Sequence, residues 1–391
     1  MVGKSNTATV VAVMSVFFIA MGIGIITPAL QNIAEAFPEL PFSTILLAST
    51  LPSLFLIPAT AWSGMVAGNR VGYRPLLLIG TLLFAVAGAA PFVMNDFTVI
   101  LVARALFGVG LGIISPLGTA LILGLFEGQQ RANMLGLSGV IMNLGGIVLQ
   151  MLGAILCTIS WRHAFLPHLL ALITFFMVLF MLPEPEKKKE ETAAGAAAKV
   201  KMPSAVYLIA ALFGTAMMLN YPMLVNMSTI IITGNLGDAA SAGVVLSMFT
   251  VGGMIGGAIF GKLHQYFKLH AITLSLLVIS AGMGCVYYAN SLMMLTVGST
   301  LVGLGFSVLM PAVMMIIGSI VPPAAFASAS GTLMAFMNLG GFISTYYIAL
   351  LLRINSYIRF PIFIAMVAYF ISALIYALTG ARKSPSVSKA G

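Results

Sequence analysis

The sequence predicts an all-α integral membrane protein, with twelve transmembrane helices arranged as two pseudo-symmetric six-helix bundles. Three observations predict it. Of the 391 residues, 60% are hydrophobic and only 7% are Asp, Glu, Lys or Arg, with a mean hydropathy of +1.10. The wetted surface of a soluble domain needs roughly a quarter charged residues. The apolar runs are long and unbroken rather than alternating in short pieces, which selects helices over a barrel. Finally, the chain repeats itself at half its length.

Each span needs about 20 apolar residues, and charge, Pro and Gly mark the breaks between spans. Span 1, about 8 to 30, follows a single Lys4 and lacks a short apolar core with a small-residue cleavage site. It is therefore expected to be a retained span and not a signal peptide. Glu35 and Glu39 separate it from span 2 (about 43 to 67), Arg70 and Arg74 mark the break before span 3 (about 76 to 94), and Asp96 precedes span 4 (about 99 to 124). Glu127 and Arg131 precede span 5 (about 133 to 157), and Trp161-Arg162 leads into span 6 (about 164 to 182). The polar stretch Glu184 to Lys201 then holds Lys187 to Lys189, Glu190, Glu191 and an Ala/Gly run, and reads as a flexible linker. Spans 7 to 12 lie near 204 to 233, 240 to 262, 270 to 289, 293 to 320, 327 to 351 and 359 to 379. The expected domains are a bundle over 1–183, a linker over 184–203, and a bundle over 204–391 ending in a short tail.

Fourteen of the 18 Lys and Arg fall on one side of these spans; Arg162, Arg353 and Arg359 fall on the other, and Arg104 lies within a span. The basic side marks the cytoplasm, so both termini and the linker are expected there, in a bacterial-type cytoplasmic membrane. The net charge of +9 follows from this topology and implies lipid as a partner, not nucleic acid. Cys157 and Cys285 have no paired spacing and imply neither a disulfide framework nor a metal site, and nothing in the sequence asks for a cofactor.

The repeat is explicit. Met142 to Gly146 reads Met-Asn-Leu-Gly-Gly, and Met337 to Gly341 reads the same 195 positions later. That offset also pairs Gly108, Gly110 and Pro116 of span 4 with Gly303, Gly305 and Pro311 of span 10. A shift of 194 pairs Pro28, Leu30 and Asn32 of span 1 with Pro222, Leu224 and Asn226 of span 7. Both halves begin and end on one side, so the repeats are parallel and related by an axis along the membrane normal. Two such bundles can clasp a midplane cavity and rock about it, which is alternating access.

The loop after span 2 reads Gly64-Met65-Val66-Ala67-Gly68-Asn69-Arg70-Val71-Gly72-Tyr73-Arg74-Pro75. It resembles the signature of the major facilitator superfamily, a glycine-led run ending in Asp-Arg-x-Gly-Arg-Arg. Arg70, Gly72 and Arg74 match, Gly64 is displaced by one position, and Asn69 replaces the acidic residue, keeping a capping hydrogen bond and losing the charge. The resemblance implies that this loop gates the cytoplasmic side. Arg104-Ala105-Leu106-Phe107-Gly108-Val109-Gly110, Trp161-Arg162 and Ile26-Thr27-Pro28-Ala29-Leu30 resemble the twelve-helix drug:proton antiporter branch. The Gly-Pro-x-x-Gly-Gly run of that branch is absent, its place taken by Leu149-Gln150-Met151-Leu152-Gly153-Ala154. A transporter that works as a monomer is what the resemblance implies.

None of the nine acidic residues sits in the middle of an expected span, so the sequence gives no support to a midplane carboxylate as proton carrier. Glu35 and His168 are the remaining titratable candidates, His168 having the alternative of a structural hydrogen bond. Arg104, costly at the bilayer centre, either faces the cavity and holds an anion or binds backbone carbonyls and braces its half. Asn143 and Asn338 either face the cavity or hydrogen-bond across helix contacts that the neighbouring glycines permit. Asn32, Gln150, Asn220, Tyr221, Asn226, Tyr346 and Tyr347 complete the candidate substrate or coupling residues. Span 7 gathers Asn220, Tyr221, Pro222 and Asn226, and a polar, proline-kinked helix is where such an architecture breaks to gate a substrate. The methionines of spans 7 and 10 (Met217, Met218, Met310, Met314, Met315) either form an adaptable apolar cavity or fill ordinary core positions.

Three functions follow: efflux of small, largely apolar compounds, with or without protons as the coupling ion; facilitated movement or exchange of a small organic anion through Arg104; or a non-transporting membrane sensor. No metal constellation or nucleophile pattern points to an enzyme.

Overall fold

The computed structural model describes residues 7–68, 70–184, 202–268 and 270–379. Asn69 and residues 185–201 of the expected linker lie outside them. Among the described residues, twelve helical segments are long and apolar enough to cross a membrane. Spans 1 to 6 are Thr7–Ala36, Phe42–Val66, Tyr73–Phe92, Phe97–Leu125, Gly128–Cys157 and Trp161–Met181. Spans 7 to 12 are Ser204–Thr233, Ala239–Phe267, His270–Tyr287, Leu292–Ile320, Ser328–Ile354 and Phe360–Thr379.

Apolar side chains gain nothing by leaving lipid for one another, so helix association here depends on close contact at small residues. Gly108 of span 4 rests on the backbone of Pro52 in span 2, and Gly303 of span 10 on the Phe249 carbonyl of span 8. The glycines of the repeated pentapeptide act alike. A Cβ on Gly145 would overlap the Phe18 carbonyl of span 1, and one on Gly340 the Gly214 carbonyl of span 7. The neighbouring asparagines do not bridge helices. Asn143 donates to Gly139 O and Asn338 to Met334 O, both at 2.9 Å, one turn back on their own helix.

Span 1 differs from its expected form. Its α-helix Thr7–Ile19 gives way to 3-10 turns at Gly22–Gly24 and Thr27–Ala29, then resumes over Leu30–Ala36, six residues beyond the expected end. Span 7, where a break was expected at Pro222, is one continuous helix, Ser204–Thr233. Two glycines and a proline within seven residues account for the break in span 1, since Gly and Pro are the weakest helix formers.

Buried side chains form one cluster running from Ala12 to Leu182, joined by Ala239, and a second from Val206 to Ala373. A smaller third cluster joins the bundles: Leu30 and Leu46 from one, Val225 and Ile348 from the other. Twelve spans return the chain to its starting side, here called the terminal side; the third cluster lies toward the opposite, far side.

Candidate functional site

A cavity of about 170 Å³ lies between the bundles. The broken stretch of span 1 supplies Met21, Ile23, Gly24 and Thr27, and span 2 supplies Ser49. Span 5 gives Gly146 and Gln150; spans 7 and 8 give Met217, Tyr221, Leu224, Val225, Leu246, Phe249 and Thr250. The span 7 residues recur at helical spacing and form one face. None of the lining residues is charged. Pro28 has no N–H to offer the carbonyl four residues earlier; that carbonyl, Gly24 O, accepts from Gln150 Nε2 at 3.5 Å.

On the far side the cavity is closed. Ser228 Oγ of span 7 donates to Pro28 O at 2.7 Å and accepts from the Gln31 amide at 3.3 Å. Thr50 and Thr345 share a 2.6 Å hydroxyl–hydroxyl hydrogen bond between spans 2 and 11. The third hydrophobic cluster, with Tyr221 and Tyr347 packed against it, completes this lid. Toward the terminal side the helices have open space beside Gly136, Gly139, Gly257, Gly261 and Gly331. A second cleft of about 500 Å³ is lined there by Met310, Pro311, Met314, Met315, Gly318 and Phe326.

Of the expected site residues, Gln150 and Tyr221 line the cavity. Tyr347 belongs to the lid, its hydroxyl 3.4 Å from Pro361 O. Asn32 is half-buried beyond the break in span 1. Asn226 is buried and donates to Ile358 O at 3.4 Å, while Asn220 is buried with neither side-chain amide atom hydrogen-bonded. Tyr346 is exposed and packs edge-on to Phe342.

Arg104 and His168 come together, but inside the N-terminal bundle and not in the cavity lining. Arg104 is fully buried: Nε donates to Ala48 O at 2.8 Å, Nη1 lies 3.2 Å from His168 Nε2, and the guanidinium covers the Phe107 ring at 4.2 Å. His168 Nδ1 lies 2.8 Å from Phe165 O. A carbonyl only accepts, so a neutral imidazole with its proton on Nδ1 donates there and receives the Arg104 bond on Nε2.

In the loop after span 2, Gly68 adopts a φ of +73° and donates to Val71 O at 2.8 Å; the amide of Arg70 donates to Val66 O at 3.0 Å. Gly64 has open space around it. Gly72 leads into span 3, whose first amides, Tyr73 and Arg74, donate to the Glu184 carboxylate at 2.5 and 2.9 Å. A Cβ on Gly72 would meet that carboxylate, and the Arg74 guanidinium donates to Leu179 O. The loop is thus tied to the last described residues of the N-terminal half.

Sequence reasoning missed Met21, Ile23, Gly24, Ser49 and Thr250 in the cavity and Thr50, Ser228 and Thr345 in the lid. The cluster of Gly22, Gly24 and Pro28 is the signal that could have found the first three.

A family model described as Major Facilitator Superfamily matches residues 12–265 and, again, residues 206–391. The chain is 24% identical over 373 residues to the quinolone resistance protein NorA of Staphylococcus aureus (strain MSSA476), covering 92% of this chain and 93% of that protein. Among solved structures, a D-xylose-proton symporter superposes with a TM-score of 0.77 at 16% identity, covering 95% of this chain and 97% of that one. A bacterial homologue of the human lysosomal transporter Spinster, inward-facing and occupied, superposes with a TM-score of 0.75 at 13% identity, covering 98% of each chain. At these identities the two structures establish a shared fold.

Proposed function

The chain belongs to the Major Facilitator Superfamily, and on that premise we propose that it exports small, largely apolar compounds across a bacterial-type cytoplasmic membrane by alternating access. The observation that carries this reading is the cavity, which offers aliphatic, aromatic and thioether groups with five neutral polar side chains, Thr27, Ser49, Gln150, Tyr221 and Thr250, and no charge. An ion entering it would lose hydration without a counter-charge. An apolar compound gains roughly 25 cal/mol per Å² buried, while the polar groups fix its orientation.

The excess of Lys and Arg assigns the terminal side to the cytoplasm. The lid then closes the outer face, which supports a state that loads from the cytoplasm. The name of the staphylococcal relative, a quinolone resistance protein, supports export of aromatic compounds. Each bundle buries its own core within one chain, which supports a monomer in lipid. Transport of this kind needs no covalent chemistry. The reading includes exchange against protons, with His168 and Glu35 as the candidate proton carriers. The anion reading rests on Arg104, which stands outside the cavity lining.

Flux in proteoliposomes under an imposed pH gradient tests the reading, with uncharged aromatics, lipophilic cations and small carboxylates compared side by side. Gradient-driven movement of the uncharged aromatics is the expected result, and Gln150→Ala and Tyr221→Ala should raise their half-saturating concentration. Exchange of carboxylates alone, independent of the gradient, would overturn it.

A further inference from the structure

We infer that Arg104 is a positioning residue for the far-side lid: it satisfies a backbone carbonyl that Pro52 leaves open in span 2, and so fixes the turn that carries Ser49 and Thr50. Pro52 lies inside the helix Phe42–Val66. A proline has no N–H, so the carbonyl four residues earlier, Ala48 O, has no helical donor. Ala48 and Pro52 are both buried. A carbonyl without a partner is strongly disfavoured in the apolar interior of a membrane protein, where neighbouring helices must supply the donor. Arg104 Nε supplies it from span 4 at 2.8 Å.

The approach of the two helices fits this role. Gly108, one turn beyond Arg104, rests directly on the Pro52 backbone, where any Cβ would clash. Span 2 returns the same service: Pro116 of span 4 deprives Gly112 O of its helical donor, and Thr60 Oγ1 donates to that oxygen at 3.1 Å. Proline-opened carbonyls on each helix are thus closed by a side chain of the other.

The molecule contains its own control. Gly303, the repeat mate of Gly108, rests on Phe249, so Phe249 stands where Pro52 does; Ser299 stands where Arg104 does at the offset of 195. The helix Ala239–Phe267 carries no proline, and Ser299 turns instead toward Met223 Sδ at 3.9 Å. Where the proline is absent, so is the arginine.

The tied turn is also where this bundle meets the other. Ser49 lines the cavity, and Thr50 makes the 2.6 Å bond to Thr345 that helps close the lid. Arg104 therefore acts on the lid through span 2, from behind, without touching the cavity.

The test reads the lid and needs no substrate, so it stands or falls separately from the substrate assignment. Ile348→Cys, at a lid position 1% exposed, is placed in a Cys157→Ala, Cys285→Ala background in nanodiscs, and its rate of labelling by a hydrophilic maleimide is measured. Arg104→Met is expected to raise that rate at least about fivefold, a change near 1 kcal/mol in lid opening. Pro52→Ala restores the missing N–H, and in that background Arg104→Met is expected to change the rate by less than about twofold. An equal increase in both backgrounds, or no increase in either, overturns the inference. If Arg104→Met alone yields no folded protein, recovery of folded protein by adding Pro52→Ala supports the inference, and failure to recover overturns it.

Discussion

Spans 1 and 7 share Pro, Leu and Asn at a spacing of 194 residues, yet span 1 breaks between Ile19 and Leu30 while span 7 runs unbroken from Ser204 to Thr233. The difference lies in the residues before the proline. Gly22 and Gly24 of span 1 stand where span 7 has Ala216 and Met218. Each Gly costs a helix about 1 kcal/mol relative to Ala, whereas Ala and Met are good helix formers. A single proline can be absorbed by a helix whose neighbours supply the missing contacts; a proline with two glycines nearby cannot. Spans 5 and 11 make the opposite case, since their shared pentapeptide gives the same backbone contact in both halves. Repeated sequence thus preserves packing where glycine sets the distance between helices, and loses it where helix propensity sets the shape of one helix.

The largest expected effect comes from restoring the helix in span 1. Gly22→Ala, Gly24→Ala and Pro28→Ala together should abolish flux, by more than about tenfold, or 1.4 kcal/mol. The added methyl at 22 meets the Phe84 ring, and the cavity wall from Met21 to Thr27 is re-aimed. The reverse pair in span 7, Ala216→Gly with Met218→Gly, should lower thermal stability instead. Equal loss of flux from both sets would break the comparison.

Next come Gly145→Ala and Gly340→Ala, each expected to destabilise by about 1–3 kcal/mol because the new Cβ is forced into backbone. Their thermal midpoints in detergent should fall by similar amounts; a large inequality would show that the repeat is not mechanically symmetric. Ser228→Ala removes the lid bonds to Pro28 O and Gln31 N and should cost about 1 kcal/mol, read as roughly fivefold faster labelling of the lid.

The smallest effect is at the surface. Bonds from the Ser241 amide and hydroxyl hold the Asp238 carboxyl below the usual carboxylate range. Because the folded value is depressed, its stabilisation is complete above the ordinary pKa of about 3.9 and is lost as pH falls through the folded value. The carboxyl is largely exposed, so the difference between pH 7 and pH 3 attributable to it should be under about 1 kcal/mol and absent in Asp238→Asn.

The spans and the repeat were legible because hydropathy and glycine spacing act locally along the chain. The cavity was only partly so. Gln150 and Tyr221 stand out as polar residues in apolar runs, but the hydroxyls of Thr50, Ser228 and Thr345 do not. In membrane helices most such hydroxyls bond the carbonyl one turn back, as Thr81 does to Leu77 O and Ser115 to Leu111 O. Which of them also reach another helix, as Thr50 does while bonding Leu46 O, depends on rotation about the helix axis, which no local pattern records. Arg104 was conspicuous for its charge, yet one of its partners is a backbone atom, Ala48 O, invisible in sequence except through the proline that exposes it.

That pairing also orders how the two positions can change over generations. Replacing Pro52 first leaves Ala48 O with two donors in reach, a state the bundle tolerates; replacing Arg104 first leaves it with none. Lineages that depart from this arrangement should therefore lose the proline before the arginine. The phenylalanine at 249 and the serine at 299 are what a half that has completed that passage, or never entered it, would carry.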